Sequence, residues 1–302
     1  MRKLALLAAA GALALSPAAA QQSAVPQTMD YAKTTEQTVD LGHGLYAIIA
    51  TNPDPTSGIG DTTVAVGTDG LIVVDTQFEQ LYGMLKARIA AISPLPVKYV
   101  VNTHFHGDHS GGNAAFAKAG AIIMDHENIL KRMSAAKGTP KEALPVQTFS
   151  GQGTEVKVAG QTAELVHVEN AHTDGDTMVF WPAADVISTG DVMHKPGYPN
   201  IDTASGGGID GMILATQFVI AHSDAKTKIV PGHGGITDRA GAIAYRNMLV
   251  TARARIAKAK ARGMSEDQVA HANLLADLDK YWKIQGNGAS ERFPINVYRS
   301  LK

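Results

Sequence analysis

His104-Phe105-His106-Gly107-Asp108-His109 places three imidazoles and one carboxylate in six consecutive positions, directly after the apolar run Val97 to Val101. Its β-branched residues Val97, Val100 and Val101 are those expected of a buried strand. A strand that ends in such a cluster has one evident use, to hold divalent metal. The competing reading is a polar turn at a strand end. What decides between them is whether the rest of the chain supplies the missing ligands.

Spacing within the stretch already suits metal. His104 and His106 lie two apart, so on extended backbone they point the same way and can share one ion. Gly107, with its freedom in φ, is expected to turn the chain so that Asp108 and His109 face a second ion. Two metals about 3.5–4 Å apart form a clamp for hydrolysis. Three later blocks put ligand-type side chains next to small residues at strand ends. Ala171-His172-Thr173-Asp174-Gly175-Asp176 follows the strand Thr162 to Val168. Thr189-Gly190-Asp191 follows Val186 to Ser188, and Pro231-Gly232-His233-Gly234 follows Lys228 to Val230. A lone histidine in a glycine-rich turn is ordinarily a solvated loop residue. Three such turns, all in phase with strand ends, are not explained that way.

These blocks resemble the metallo-β-lactamase superfamily, whose signature is a His-x-His-x-Asp-His run, a later His, an Asp or Cys, and a final His. The resemblance spans about residues 40–240. It implies an α/β fold, an αββα sandwich of two mixed sheets flanked by helices, with the metals at one edge. It also implies that His104, His106 and His172 bind one metal, that Asp108, His109 and His233 bind a second, and that Asp191 bridges them. The commonest zinc β-lactamases of the family carry Cys at the Asp191 position, and this chain has none. Asp there is the pattern of the family's glyoxalase II enzymes, lactonases and phosphodiesterases. Those lactamases also often carry a substrate-holding Lys three residues on. Here that place is His194, with Lys195 beside it. Lys195 and Tyr198 are the candidate substrate contacts.

The chemistry implied is that of an exported di-metal hydrolase. Two cations acidify a shared water, Asp108 holds the resulting hydroxide, and the metals polarise the bond under attack. Zinc suits the nitrogen-rich set best, and iron or manganese also fits. The substrate expected first is a β-lactam or a similar cyclic amide or ester. A lactone, thioester or phosphodiester is the alternative, and a metal-dependent oxidoreductase or non-catalytic binding protein stands behind both.

Composition bounds these readings. The chain has 302 residues, 45% of them hydrophobic, no cysteine and a net charge of −1. Without cysteine, any metal here is held by nitrogen and oxygen alone. Arg2 and Lys3, the short apolar run Leu4 to Leu15, and Ala18-Ala19-Ala20 make residues 1–20 a signal peptide, with a periplasmic or secreted destination. A retained anchor is the other reading, and the run is short for a membrane span. Losing those two cations takes the charge from −1 to −3. No concentrated basic patch points to nucleic acid, so a small-molecule substrate is expected. Oligomeric state leaves no sequence signal.

Residues 21–302 are expected to form a single domain, with a core over about 40–240 and helices over 241–302. Residues 21–40 read as a loose lead-in, and residues 45–75 as a β meander. The loops Thr51 to Asp61 and Pro196 to Gly208 are placed to overhang the metals. Helices are expected at Phe78 to Ile92, Asn113 to Ala119, Glu127 to Lys137, Ile209 to Ala221 and Gly241 to Ala261, the last with a basic, solvated face. A final helix and tail begin at Ser265, where Gln268 completes a capping box. Asp75, ending Val-Val-Asp-Thr, is a candidate support for a ligand histidine. Asp174 and Asp176 are expected to cap the turn beside His172. His43, His126, His167, His222 and His271 show no partner pattern.

Overall fold

The computed structural model describes residues 29–54, 58–195, 197–284 and 288–301. The leader expected at residues 1–20 lies outside the described residues, as do positions 55–57 and 196 of the two overhanging loops.

The first sheet contains β1 (Thr35–Gly42), β2 (Leu45–Thr51), β3 (Thr62–Val66), β4 (Leu71–Val74), β5 (Val97–Val101), β6 (Ile122–His126) and β7 (Gln147–Phe149), in that spatial order. β1 to β4 are antiparallel, and β4 to β7 are parallel. The change follows from the connections. Short turns join β1 to β2 and β3 to β4, and the loop 52–61 joins β2 to β3. Helices α1 (Tyr82–Ile92), α2 (Gly107–Ser110), α3 (Asn113–Lys118) and α4 (Glu127–Ala135) carry the chain back between the later ones. The second sheet holds β8 (Gly153–Val158), β9 (Gln161–His167), β10 (Thr177–Trp181), β11 (Val186–His194) and β12 (Lys228–His233), ordered β12-β11-β10-β9-β8. Only β11 and β12 run parallel, linked through α5 (Ile209–Ala221). α6 (Arg239–Ala261), α7 (Glu266–His271), α8 (Ala276–Trp282) and α9 (Ala289–Ser300) complete the chain.

Alternation along the strands builds the layers. Ala47, Ala65, Ile72 and Val101 face Ala163, Leu165, Val179 and Trp181 across the central core. Their neighbours Ile48, Val64, Val73 and Val100 face outward onto Leu85, Ile89 and Phe116. The outer face of the second sheet, with Met178, Phe180, Ile187 and Ile229, is covered by α5 and α6. Fully burying one such side chain stabilises by about 1.5–3 kcal/mol. The αββα sandwich expected from the sequence is the observed architecture.

Four local expectations are corrected. Thr35–Gly42 is an edge strand, not a lead-in; its polar outward face hides the strand signal, while Glu36 and Leu41 are buried. The stretch from Ser265 forms three helices rather than one, although its capping box is present. β11 and β12 continue through Asp191 and His233, so these residues sit within strands and not after them. β11 achieves this with an irregularity at Gly190 (φ 52°), where a Cβ would lie 2.4 Å from Thr103. Finally, Gly107 does not adopt positive φ. The one-turn helix α2, opened by extended His106, makes the turn.

Candidate metal centre

The C-terminal ends of β4, β5, β11 and β12 meet at one rim of the sandwich, and the β9–β10 loop reaches the same place. Ligand sites in open α/β sheets form at such strand ends. His104, His106, His109, His172, His233, Asp108 and Asp191 converge there, all but Asp191 buried. They form three overlapping groups, each with its ligand atoms within 4.8 Å of one another: His104/His106/His172, His104/His109/Asp191 and Asp108/His109/His233.

The ring tautomers follow from what each histidine touches on its outer side. His109 Nδ1 donates to Asp75 Oδ2 at 2.7 Å, His172 Nδ1 to the Asn200 carbonyl at 2.6 Å, and His233 Nδ1 to the Ile59 carbonyl at 2.9 Å. His106 Nε2 donates to Asp202 Oδ2 at 3.1 Å. Thr103 Oγ1, which spends its own proton on Asp75, lies 3.2 Å from His104 Nδ1 and accepts from it. Each ring therefore turns inward the nitrogen whose lone pair a cation or a proton must meet. The inner nitrogens of His104 and His172 lie 3.1 and 2.9 Å from Nδ1 of His106. His109 Nε2 lies 3.3 Å from His233 Nε2 and 3.4 Å from Asp108 Oδ2.

Seven acceptors facing one another with no donor among them repel, unless a cation or protons fill the centre. The spacing favours a cation. Tetrahedral ligands at zinc bond lengths of roughly 2.0–2.1 Å sit about 3.3 Å apart. Asp191 links the two halves. Its Oδ1 lies 3.2 Å from His109 Nε2 and 3.1 Å from His233 Nε2, while Oδ2 lies 3.6 Å from His172 Nε2. Oδ1 is buried and accepts no hydrogen bond. Donor type, spacing and this orphaned oxygen all fit two cations sharing one carboxylate.

Electrostatics divides the imidazoles. Burial, reinforced by neighbouring imidazoles, holds His104 well below its ordinary pKa. Burial likewise brings His172 down to about 4. Burial also opposes charge on His233, but Asp191 and Asp108 overcome it and raise the group to about 10. His109 is raised well above its usual value in the same way, against its burial, by Asp108, Asp75 and Asp191. Despite burial, His109 and His233 hold Asp108 and Asp191 well below the usual carboxylate range. Protons held on His109 and His233 must leave when a cation enters.

A polar network behind the ligands fixes their backbone. Asp75 also accepts from Thr103 N at 2.7 Å. Asn102 and Thr76 both donate to the His109 carbonyl, and Asn113 donates to Asn102. Asp176 accepts from the backbone of His172 and Thr173, as its expected capping role requires. Asp174 pairs instead with Arg132. Gly232 allows the close approach of β11 and β12, for a Cβ there would lie 2.0 Å from Asp191 Oδ1.

The two candidate substrate contacts are not brought to the cluster. The Tyr198 ring is buried against Phe293 and its hydroxyl donates to Asp279. Lys195 Nζ donates to the Ile236 carbonyl. His194 lies closer, its ring 4.9 Å from that of His233. His126 and His167 do have a partner, each other, stacked at 3.7 Å.

Sequence reading missed Asp61, Asn200 and Asp202. Buried Asp61 accepts from Ala50 N and Gly235 N, which pins the His233 turn, and burial raises its pKa to about 7. Asp202 had one usable signal. It caps the Thr203–Ser205 turn by accepting from Ser205 N, the Asp-x-x-Ser pattern of a cap.

Comparison with known proteins agrees with this geometry. The family model described as the metallo-beta-lactamase superfamily matches residues 55–240. A hydroxyacylglutathione hydrolase of Anaeromyxobacter dehalogenans is 31% identical over 177 residues, covering 57% of this chain and 62% of its own. The 2,4-dinitroanisole O-demethylase subunit alpha of a Nocardioides species is 29% identical over 143 residues, 45% of this chain and 43% of its own. The matched region thus spans less than two thirds of either relative. Among solved structures, a metallo-beta-lactamase from Pontibacter korlensis shares the fold with a TM-score of 0.63 at 19% identity, covering 72% of this chain and 99% of that one.

Proposed function

The chain belongs to the metallo-beta-lactamase superfamily, and from that premise we propose that it is a two-metal hydrolase that opens a β-lactam or a similar cyclic amide or ester. The observation that carries the hydrolytic reading is Asp191, with one oxygen turned to His109 and His233 and the other to His172. His104, His106 and His172 are the residues that hold one ion, and Asp108, His109 and His233 the other. Two divalent ions, zinc by donor type, would acidify water and polarise the acyl carbonyl.

The chain's own groups do the rest. The side chains of Asp108 and Asp191 are 12% and 11% exposed, more than any of the five histidines. The carboxylates are therefore the edge of the cluster that solvent reaches. Asp108, kept ionised by His109 and His233, would accept a hydrogen bond from the attacking water and orient it toward the substrate. Asp75, Asn200, Ile59, Asp202 and Thr103 keep the rings from rotating, so the reactive geometry exists before substrate arrives.

A second substrate class is supported by the 31% identity to a hydroxyacylglutathione hydrolase and by Asp191 itself: a thioester or lactone on the same centre. Nitrocefin, a carbapenem, an acyl lactone, a glutathione thioester and bis-p-nitrophenyl phosphate, each assayed with zinc, separate these classes. Turnover of neither lactam removes the β-lactam reading, and turnover of the lactone or the thioester alone favours the second class. For location, the first twenty residues support export to the periplasm or beyond. N-terminal sequencing of secreted protein beginning at Gln21 checks it.

A further inference from the structure

The family match ends at residue 240, yet residues beyond it hold the segment that orients two ligand histidines. The strap from Gly197 to Gly208 lies along the His172 loop. Asp202 N donates to the His172 carbonyl at 2.9 Å and Gly208 N to the Ala171 carbonyl at 2.9 Å. From this strap come the Asn200 carbonyl that fixes His172 Nδ1 and the Asp202 carboxylate that fixes His106 Nε2.

The strap itself hangs on α8 and α9. Tyr198 donates to Asp279 of α8 at 2.5 Å, and its ring stacks on Phe293 of α9 with centroids 4.4 Å apart. Asn296 of α9 donates to Asn200 Oδ1 at 3.4 Å, and Ile209 N, just past the strap, donates to Ser300 Oγ at 3.2 Å. These anchors have a firm base. Arg255 of α6 forks onto Asp277 and bonds the Leu274 carbonyl, which seats α8. Lys260 bonds the Tyr298 and Leu301 carbonyls, and Arg299 pairs with Glu266, which seats α9. Part of the basic face of α6 is thus a docking surface for these helices rather than a solvated one.

We propose that Tyr198 and Asp279 are positioning residues for the ion held by His104, His106 and His172: their contact ties the Asn200–Asp202 strap to the C-terminal helices and so fixes the aim of His106 and His172. Tyr198 stands two residues from Asn200 and four from Asp202, with the strap between them bonded at both ends. Slack at Tyr198 reaches those two histidines first. His109 and His233 are held by Asp75 and Ile59, which lie on other elements. The effect is therefore selective for one ion. This inference rests on the two-metal reading above.

The test is stepwise cobalt(II) binding to full-length protein, in competition with a chelator of known affinity, on wild type, Tyr198→Phe, Asp279→Ala, Asp279→Asn and His172→Ala. His172→Ala identifies which of the two constants belongs to the first ion. Tyr198→Phe keeps the stacked ring and removes only the hydroxyl. It and Asp279→Ala are expected to weaken that constant about 10-fold, as loss of ligand support does, with the other constant within twofold. Asp279→Asn, which keeps the acceptor oxygen, is expected to stay within twofold for both. Equal loss at both ions, or no loss at either, overturns the positioning role. A wild-type protein that takes up fewer than two ions overturns the two-metal reading beneath it instead.

Discussion

Replacing Asp75 by alanine tests the support of the cluster apart from its ligands. Asp75 is 1% exposed and accepts three hydrogen bonds: from His109 Nδ1, Thr103 N and Thr103 Oγ1. The hydroxyl can rotate to another acceptor, but the ring and backbone donors cannot. Leaving two buried donors unmet costs about 1–3 kcal/mol each. Residue 75 also sits at φ 65°, a conformation Asp tolerates better than Ala, which adds about 1 kcal/mol. The metal-free variant is expected to lose about 3–7 kcal/mol, a large share of a typical total of 5–15 kcal/mol. With His109 free to turn, zinc affinity is expected to fall about 10–100-fold. Urea unfolding of metal-free protein and zinc competition with a chelator measure the two effects separately. Asp75→Asn, which keeps an acceptor oxygen and tolerates the backbone, should lose less of each. Asp75→Ala that changes stability by under about 0.5 kcal/mol and affinity by under twofold would refute the assignment of Asp75 as the group that holds His109.

Other perturbations follow from the same geometry. Gly232→Ala puts a methyl 2.0 Å from Asp191 Oδ1; it is expected to cost about 1–3 kcal/mol by overpacking and to weaken zinc binding, read by thermal melting and metal content. Zinc uptake at pH 7 is expected to release about two protons, because carboxylate charge raises both His109 and His233 against their burial; calorimetry in buffers of different ionisation enthalpy counts them, and a buffer-independent enthalpy contradicts it. Burial raises the Asp176 pKa to about 7, above its unfolded value, so the folded state binds the extra proton and its contribution to stability declines as pH rises from about 4 to 7. Asp176→Asn lacks that proton, and metal-free urea melts should show its stability relative to wild type climbing across this window.

How much of this was legible in the sequence depends on whether a residue's role is local. The candidate ligands could be picked out because they fall in four short blocks beside small residues, near the C-terminal ends of strands. The antiparallel start of the first sheet could be read because β2, β3 and β4 are mostly apolar or β-branched. β1 could not, since an edge strand shows water one face and its Thr-Glu-Gln-Thr start looks like a linker. The bounds of β11 and β12 were hidden for a related reason. Gly190, Pro231 and Gly232 are turn residues by type, and the pairing of the two strands carries the sheet through them, with an irregularity at Gly190. Asp202 and Asn200 act on histidines 96 and 28 residues away, contacts with no sequence periodicity. Tyr198 shows the converse error: an aromatic residue in a loop near the site, whose ring belongs to the core under α9.

The central claim is that one carboxylate bridges two ions held by separate ligand sets. Anomalous diffraction from zinc-soaked crystals, collected on both sides of the zinc edge, tests it directly. Two peaks about 3.5–4 Å apart are expected, one against His104, His106 and His172, the other against Asp108, His109 and His233, with one Asp191 oxygen on each. A single peak, or two peaks with Asp191 turned away from one of them, would contradict it.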